Sequence, residues 1–343
     1  MFGDKLSKSQ RILIWSLIIG VIVLALILAK IPFKEALGFF LNARIEYVIA
    51  FFAVSFAIMA LNGLRWWIIL KSQGHKLPYW TVLAYKYAGF GVNFITPGPR
   101  VGGEPVRAGL LAKHGIEFHK GFASVVIDKT VELSMWAVFF IIGVVTVLAN
   151  FALPENFKLI VIGVAILFII GVFYFFKAIL TGEEVFLKLL LFFRINKMKK
   201  FKSYKRKILV FEERIRKFYK EDRKEFIYAV IISAIAWLLM FLEYKYALLM
   251  LGLDVPFMQI FFIFTFVGIA YMLPVPLALG VMEAGQISIF KIFNREGAAG
   301  VALSLLIRGR DFIWALIGFF VLSYYGFSYS SEKEKNGKNN NSK

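Results

Sequence analysis

The chain contains no cysteine. Disulfides, thiol nucleophiles and cysteine-held metals are therefore excluded. Histidine is nearly as scarce, with only His75, His114 and His119. His114 and His119 are five residues apart, off the spacing that shares a helical face. No metal site, no cofactor and no catalytic set is expected from these residues. Charge is missing in long blocks: residues 12–29, 133–154 and 159–176 carry none. A membrane span takes about 20 apolar residues to cross about 30 Å of hydrocarbon. Several blocks reach that length, so one cleavable signal does not explain them. The first block follows Lys5, Lys8 and Arg11 and has no small-residue cleavage site before Lys30, so it reads as a retained helix.

What is present agrees. Of 343 residues, 59% are hydrophobic, above the roughly 45–50% of soluble domains. The expected fold class is an all-α polytopic membrane protein. Spans are predicted at about 11–29, 46–70, 120–149, 157–178, 226–250 and 298–326 from these apolar blocks. Two further apolar stretches, 81–115 and 257–293, are interrupted. The first holds Pro97, Gly98, Pro99, Gly102 and Gly103; the second holds Pro274, Pro276 and Gly280. Broken backbone at membrane depth survives only where protein or a water-filled cavity covers it. Both stretches read as re-entrant hairpins or pairs of short helices.

The formal net charge is +19. Its placement argues against nucleic acid. Fifteen Lys and Arg fall between Lys188 and Lys224, far outnumbering the acids there. Bases gathered in one loop mark the cytoplasmic side. The basic N-terminus and six spans then place both ends in the cytoplasm of a cell-membrane protein. The expected organisation is a first half over 1–180, a basic cytoplasmic loop over 181–225, a second half over 226–328 and a disordered tail over 329–343. Phe211, Ile215 and Phe218 at helical spacing predict a surface helix lying on the membrane. Trp66, Trp67, Trp80, Tyr85 and Tyr87 read as interfacial anchors.

The interrupted stretches resemble each other. Gly91, Pro97, Pro99 and Gly103 recur as Gly268, Pro274, Pro276 and Gly280, displaced by 177 residues. Glu104, Lys129 and Glu132 recur as Glu283, Arg308 and Asp311, displaced by 179. In the predicted topology the two copies run in opposite senses. Inverted repeats with discontinuous helices are a recurring design of transporters, with the site near mid-membrane.

The scarce charges inside these spans are the candidate site. Asp128, Lys129 and Glu132 lie in one span, and Arg308, Arg310 and Asp311 in another. Each such charge at mid-membrane costs about 2.5–3.5 kcal/mol on an insertion scale. Lys129 and Glu132, Arg308 and Asp311, and Glu104 and Arg107 each share a helical face. One reading is a set of ion pairs knitting helices together. The other is a hydrated cavity for a charged headgroup, with Arg107, Lys129, Arg308 and Arg310 toward phosphate. Glu104, Glu132, Glu283 and Asp311 would orient those bases, bind an amine or carry protons. The run TPGPRVGGEPVR lacks the order of a nucleotide-binding P-loop.

The run from Thr96 to Arg107, the segment Asp128-Lys129-Thr130-Val131-Glu132 and the run from Gly280 to Gly285 together resemble the lysylphosphatidylglycerol synthase transmembrane, flippase-like family. The resemblance covers about residues 10–326. It implies a polytopic protein with re-entrant helices that moves lipids between leaflets. In the family a Pro-Gly-Gly usually precedes the second Glu; here residues 274–280 read PVPLALG. Some members carry a soluble synthase domain, which the short stretch after the last span does not accommodate, so no enzyme activity is expected. The expected partners are membrane lipids, whether anionic, aminoacylated or polyprenyl-linked, and no nucleic acid; a second copy or a partner lipid-modifying enzyme are further candidates. The alternatives are a small-solute or ion transporter, a membrane-embedded lipid-modifying transferase, and a scaffold for membrane enzymes.

Overall fold

The computed structural model describes residues 38–41, 43–96, 102–150, 155–181, 184, 187, 201–272 and 281–340. The expected span at 11–29 and the break residues Pro97, Gly98, Pro99, Pro274, Pro276 and Gly280 lie outside them. The described residues form helices and no strand. In chain order these are α1 (Ile45–Ser72), α2 (Tyr79–Ile95), α3 (Gly103–Leu111), a 3-10 turn (Ala112–His114), α4 (Phe118–Asn150), α5 (Glu155–Thr181), α6 (Phe201–Lys220), α7 (Arg223–Met250), α8 (Phe257–Met272), α9 (Val281–Ile292) and α10 (Gly297–Asn340).

Among the described residues, α1 and α7 are long and apolar enough to cross a membrane. Only 22% and 33% of their most apolar stretches are buried inside the fold. Core helices of a soluble protein would hide these stretches, so their outward faces need a non-aqueous surrounding. The same holds for α5, where Leu159, Leu167 and Phe173 are all exposed, and for Phe312 and Phe320 of α10. Helices α4, α5 and α10 cover the other expected spans. The backbone of α10 continues as helix to Asn340, into the segment read from sequence as a disordered tail.

The interrupted stretches are each two helices. The intervening segments are residues 96–102 between α2 and α3, and 273–280 between α8 and α9. At 1.5 Å per residue, the 9 residues of α3 and the 12 of α9 extend about 14 and 18 Å. Neither reaches across about 30 Å of hydrocarbon. Helix α3 folds back onto α2 because Gly103 permits it. A Cβ there would strike the Gly89 carbonyl. The Gly103 N–H, an orphan donor of the first turn, donates to Asn93 Oδ1 at 2.6 Å.

The elements recur. The starts of α1, α2 and α3 precede those of α7, α8 and α9 by 178 residues each, and α4 precedes α10 by 179. The packing recurs with them. Helix α1 packs on α7, its own counterpart; α2 packs on α10 as α8 packs on α4; α3 packs on α4 as α9 packs on α10. The α1–α7 pair is antiparallel. Tyr47 stacks on Tyr246, with centroids 6.5 Å apart, while Arg65 near the other end of α1 reaches Ser233. Helices α2 and α10 are also antiparallel, from Phe94 against Phe312 to Tyr85 against Tyr325. They touch at Gly318, where a Cβ would meet the Tyr87 carbonyl.

One expectation is corrected. Helix α6 forms around Phe211, Ile215 and Phe218, but this face does not lie on lipid. It is buried with Ile69, Ala123 and Ile127 of α1 and α4, and Phe211 stacks on Phe122 at 5.6 Å. The amphipathic pattern fits a protein face as well as a membrane one, and α4 supplies the protein face. The absence of native cysteine gives a direct check of the α1–α7 geometry. Cysteines introduced as Tyr47→Cys and Tyr246→Cys are expected to join readily through a short thiol cross-linker. Tyr47→Cys with Ile227→Cys, at the far end of α7, is expected not to join, as judged by gel mobility after proteolysis between the halves.

Candidate functional site

The site grows from one face of α4. Asp128 and Glu132 are four residues apart and share that face. Asp128 has no exposed surface. Three cations from three helices bond to it: Arg65 Nε of α1 at 2.7 Å, Lys86 Nζ of α2 at 2.6 Å and Arg107 Nη2 of α3 at 2.7 Å. The fork of Arg65 continues to Glu132 Oε2 at 3.0 Å and to Ser233 Oγ of α7 at 3.0 Å. Arg107 also lies over the Trp66 ring, 3.9 Å from its centroid. A buried carboxylate with three cationic donors has its lone pairs satisfied, which is the condition for holding charge inside a fold.

Lys129 and Glu104 extend the cluster. Lys129 Nζ lies 3.0 Å from Glu132 Oε1 and 3.9 Å from Glu104 Oε1. Asn93 holds the short helix at both ends of its side chain, accepting from Gly103 and donating to Glu104 Oε1 at 3.4 Å. Glu104 Oε2 and Arg107 Nε are buried without a hydrogen-bond partner. One face of α3 thus offers an unused acceptor beside an unused donor.

The second half repeats the plan with signs altered. Arg308 Nε bonds to Glu283 Oε1 at 2.7 Å, the counterpart of Lys129 and Glu104. Arg310 Nη1 lies 2.5 Å from Glu243 Oε2. Both groups are buried or nearly so, so this is an ion pair inside the fold. Arg310 Nη2 donates to Asp311 Oδ1 at 2.8 Å. Glu243 stands 178 residues beyond Arg65, the same step that relates α1 to α7. A cation in one half therefore answers to a carboxylate in the other.

Between the halves lies a cavity of about 230 Å³. Lys86, Glu104, Arg107, Lys129 and Glu132 reach it from the first half. Glu243, Arg310 and Asp311 reach it from the second. Four cations and four carboxylates line the space, so its formal charge is balanced. Of the residues singled out from sequence, Asp128 sits behind the wall as an anchor. Glu283 and Arg308 pair with each other and do not line the cavity. Gly102 and Gly103 lie at the start of α3, beside it. Arg65, Lys86, Asn93 and Glu243 were missed, although each is a polar residue in an otherwise apolar stretch. Three expected interfacial anchors are also corrected. Trp66 and Tyr85 have no exposed surface and Tyr87 is 6% exposed, because they pack under Arg107 and against α10. Trp80, 70% exposed, remains outward.

Removing the central anion leaves three cations facing each other in a dry setting. Asp128→Asn is expected to cost about 3–5 kcal/mol, the range for breaking a buried pair from one side. Lys129→Gln, at the cavity wall, is expected to cost under about 1 kcal/mol. Denaturant unfolding in detergent micelles measures both, and equal losses would contradict the ranking.

Residues 13–318 match the family model described as Lysylphosphatidylglycerol synthase TM region. A UPF0104 membrane protein of Methanothermobacter thermautotrophicus is 23% identical over 330 residues, covering 92% of this chain and 96% of its own length. UPF0104 membrane protein PH1989 of Pyrococcus horikoshii is 24% identical over 325 residues, covering 90% and 94%. UPF0104 membrane protein MJ1595 of Methanocaldococcus jannaschii is 30% identical over 147 residues, or 42% of each chain. No solved structure matches the chain. The family match takes in both interrupted stretches and every charged residue of the cavity, and by it this chain is a membrane protein that belongs to the lysylphosphatidylglycerol synthase TM region family.

Proposed function

We propose that this protein is a lipid translocator, carrying a charged headgroup between leaflets through the cavity while the acyl or prenyl tails stay in the bilayer. The observation that supports this reading is the balanced ionic cavity built from both halves of the chain. Carrying a headgroup unaided through hydrocarbon strips its water at large cost, and a polar wall replaces that water. In this reading the chain crosses the cell membrane six times with both termini in the cytoplasm. The α2–α3 and α8–α9 pairs are re-entrant, and the two halves form an inverted repeat. An antiparallel α1–α7 pair is what such a repeat requires. If α1 and α7 stand across the bilayer, the two-fold axis relating them lies in its plane. One half can then rock on the other and expose the cavity to each side in turn. No covalent step is involved.

The chemistry of the wall favours a headgroup bearing both signs, or a phosphate beside hydroxyl or amine donors. Glu104 and Glu132 would take donors, and Lys129 and Arg310 would give to acceptors. Aminoacylated phospholipids, polyprenyl phosphates and glycolipids all meet this description.

A second reading is favoured by size. At about 30 Å³ per water, 230 Å³ holds about eight waters, which also suits a small zwitterionic solute taken up without a tail. Proteoliposomes separate the two. Exchange of labelled anionic, aminoacylated and polyprenyl lipids between leaflets is expected to exceed that of protein-free vesicles. The doubly substituted Glu104→Gln/Lys129→Gln protein is expected to lose at least about tenfold in rate, equivalent to about 1.4 kcal/mol. Lipid exchange equal to empty vesicles throughout, with uptake of a small solute instead, would move the assignment to the second reading.

A further inference from the structure

A second pocket, of about 460 Å³, lies among the turns at one end of the helices and shares no lining residue with the cavity. Its wall comes from the α1–α2 turn, the α3–α4 turn, Lys120 of α4 and Arg214 of α6. Gly74 and Gly115, with φ of 82° and 73°, make the two turns. This left-handed backbone suits glycine.

The charges around the pocket are uneven. Lys76, Lys120 and Arg214 are basic, while Glu117 is the one carboxylate in the lining. Glu117 is already engaged, by a short contact with Lys120 and by His119 Nδ1 at 3.7 Å. Arg214 has no carboxylate within ion-pair distance among the described residues. His75 Nε2 is buried and has no hydrogen-bond partner. The ring of His114, also in the wall, is fixed by its Nε2 contact with Tyr85 Oη at 2.9 Å. A planar guanidinium and two ammonium groups line one open space, and an unpartnered imidazole nitrogen is buried in its wall. These are the donor types that bind phosphate, with the arginine fork setting geometry and the lysines acting as point charges.

We infer that this pocket is a binding site for a tetrahedral dianion, namely a phosphate group carried either by a lipid headgroup or by a soluble phosphorylated molecule. The site is independent of the translocation reading, since the cavity residues take no part in it. It also accounts for the packing of α6 against α4, which brings Arg214 over the turns. His75 supplies a pH response. Burial, together with the positive charge of Arg214 and Lys120, holds His75 below its usual value. Burial and Lys113 lower His114 likewise. Glu117 is held below the usual carboxylate range by its bond to Lys120. The empty pocket therefore has a neutral His75 near neutrality, and a bound dianion draws a proton onto it. Binding tightens as pH falls.

Equilibrium dialysis of the purified, detergent-solubilised full chain against radiolabelled sulfate tests the site, because sulfate keeps two charges across this range. Saturable binding is expected, tighter at about pH 5.5 than at about pH 7.5. Arg214→Gln is expected to weaken it about tenfold or more. His75→Gln is expected to flatten the pH dependence. Lys217→Gln, exposed on the same helix, is expected to change nothing. Absent saturable binding overturns the inference, and so does equal weakening by Arg214→Gln and Lys217→Gln, which would mark diffuse attraction to a basic helix. The source is read in nanodiscs. Sulfate displaced when phosphatidic acid is added to phosphatidylcholine assigns the phosphate to a lipid, and undiminished binding assigns it to a soluble molecule.

Discussion

One carboxylate sets the geometry of the first half. Asp128 has no access to solvent, and it holds three cations drawn from α1, α2 and α3. Glu132 is a second carboxylate for Arg65 and Lys86, while Asp128 is the one that all three share. Together they fix where α3 lies, and α3 carries Glu104 and Arg107. The short helix is held by apolar packing as well, through Ala108, Leu110 and Leu111, which are buried with Trp66, Val82 and Val125. It begins at a glycine, spans 9 residues and touches α2 backbone to backbone. Its position is thus set by the Arg107–Asp128 pair and by apolar packing together. That suits a wall required to keep its shape around a polar space.

The break and the charges belong to one arrangement. Helix α3, packed on α2, sets Arg107 beside Asp128. Interrupting the backbone exposes donors that need partners, and Asn93 meets that need for Gly103. The surrounding aromatic residues then exclude lipid. Trp66 lies beneath Arg107, which shields the guanidinium on its apolar side.

Much of this was readable in advance. The helices at 45–72 and 223–250 fall within a residue or a few of the expected spans, because long apolar blocks have few other uses. The repeat was visible in Glu104 and Lys129 against Glu283 and Arg308, since scarce charges in register carry more information than abundant leucines. Asp128 was seen as a candidate, but its role as an anchor was not, because burial depth is a tertiary property. Arg65 and Glu243 escaped notice for a related reason. Each lies inside a long apolar helix that otherwise reads as lipid-facing, and its partners come from elsewhere in the chain. Helix α6 was placed on the membrane because an amphipathic face states that it will be covered, and not by what.

The two halves are not electrical equals. In the paired cluster the first contributes Arg65, Lys86, Arg107 and Lys129 against Glu104, Asp128 and Glu132, four cations to three carboxylates. The second contributes Arg308 and Arg310 against Glu243, Glu283 and Asp311, two to three. One half carries a surplus positive charge and the other a surplus negative one. Joined, they cancel. A pairing of either half with its own kind would instead leave two uncompensated charges in a medium that tolerates none. The covalent link between unlike halves therefore does more than hold neighbours together: it keeps the neutral combination within one chain.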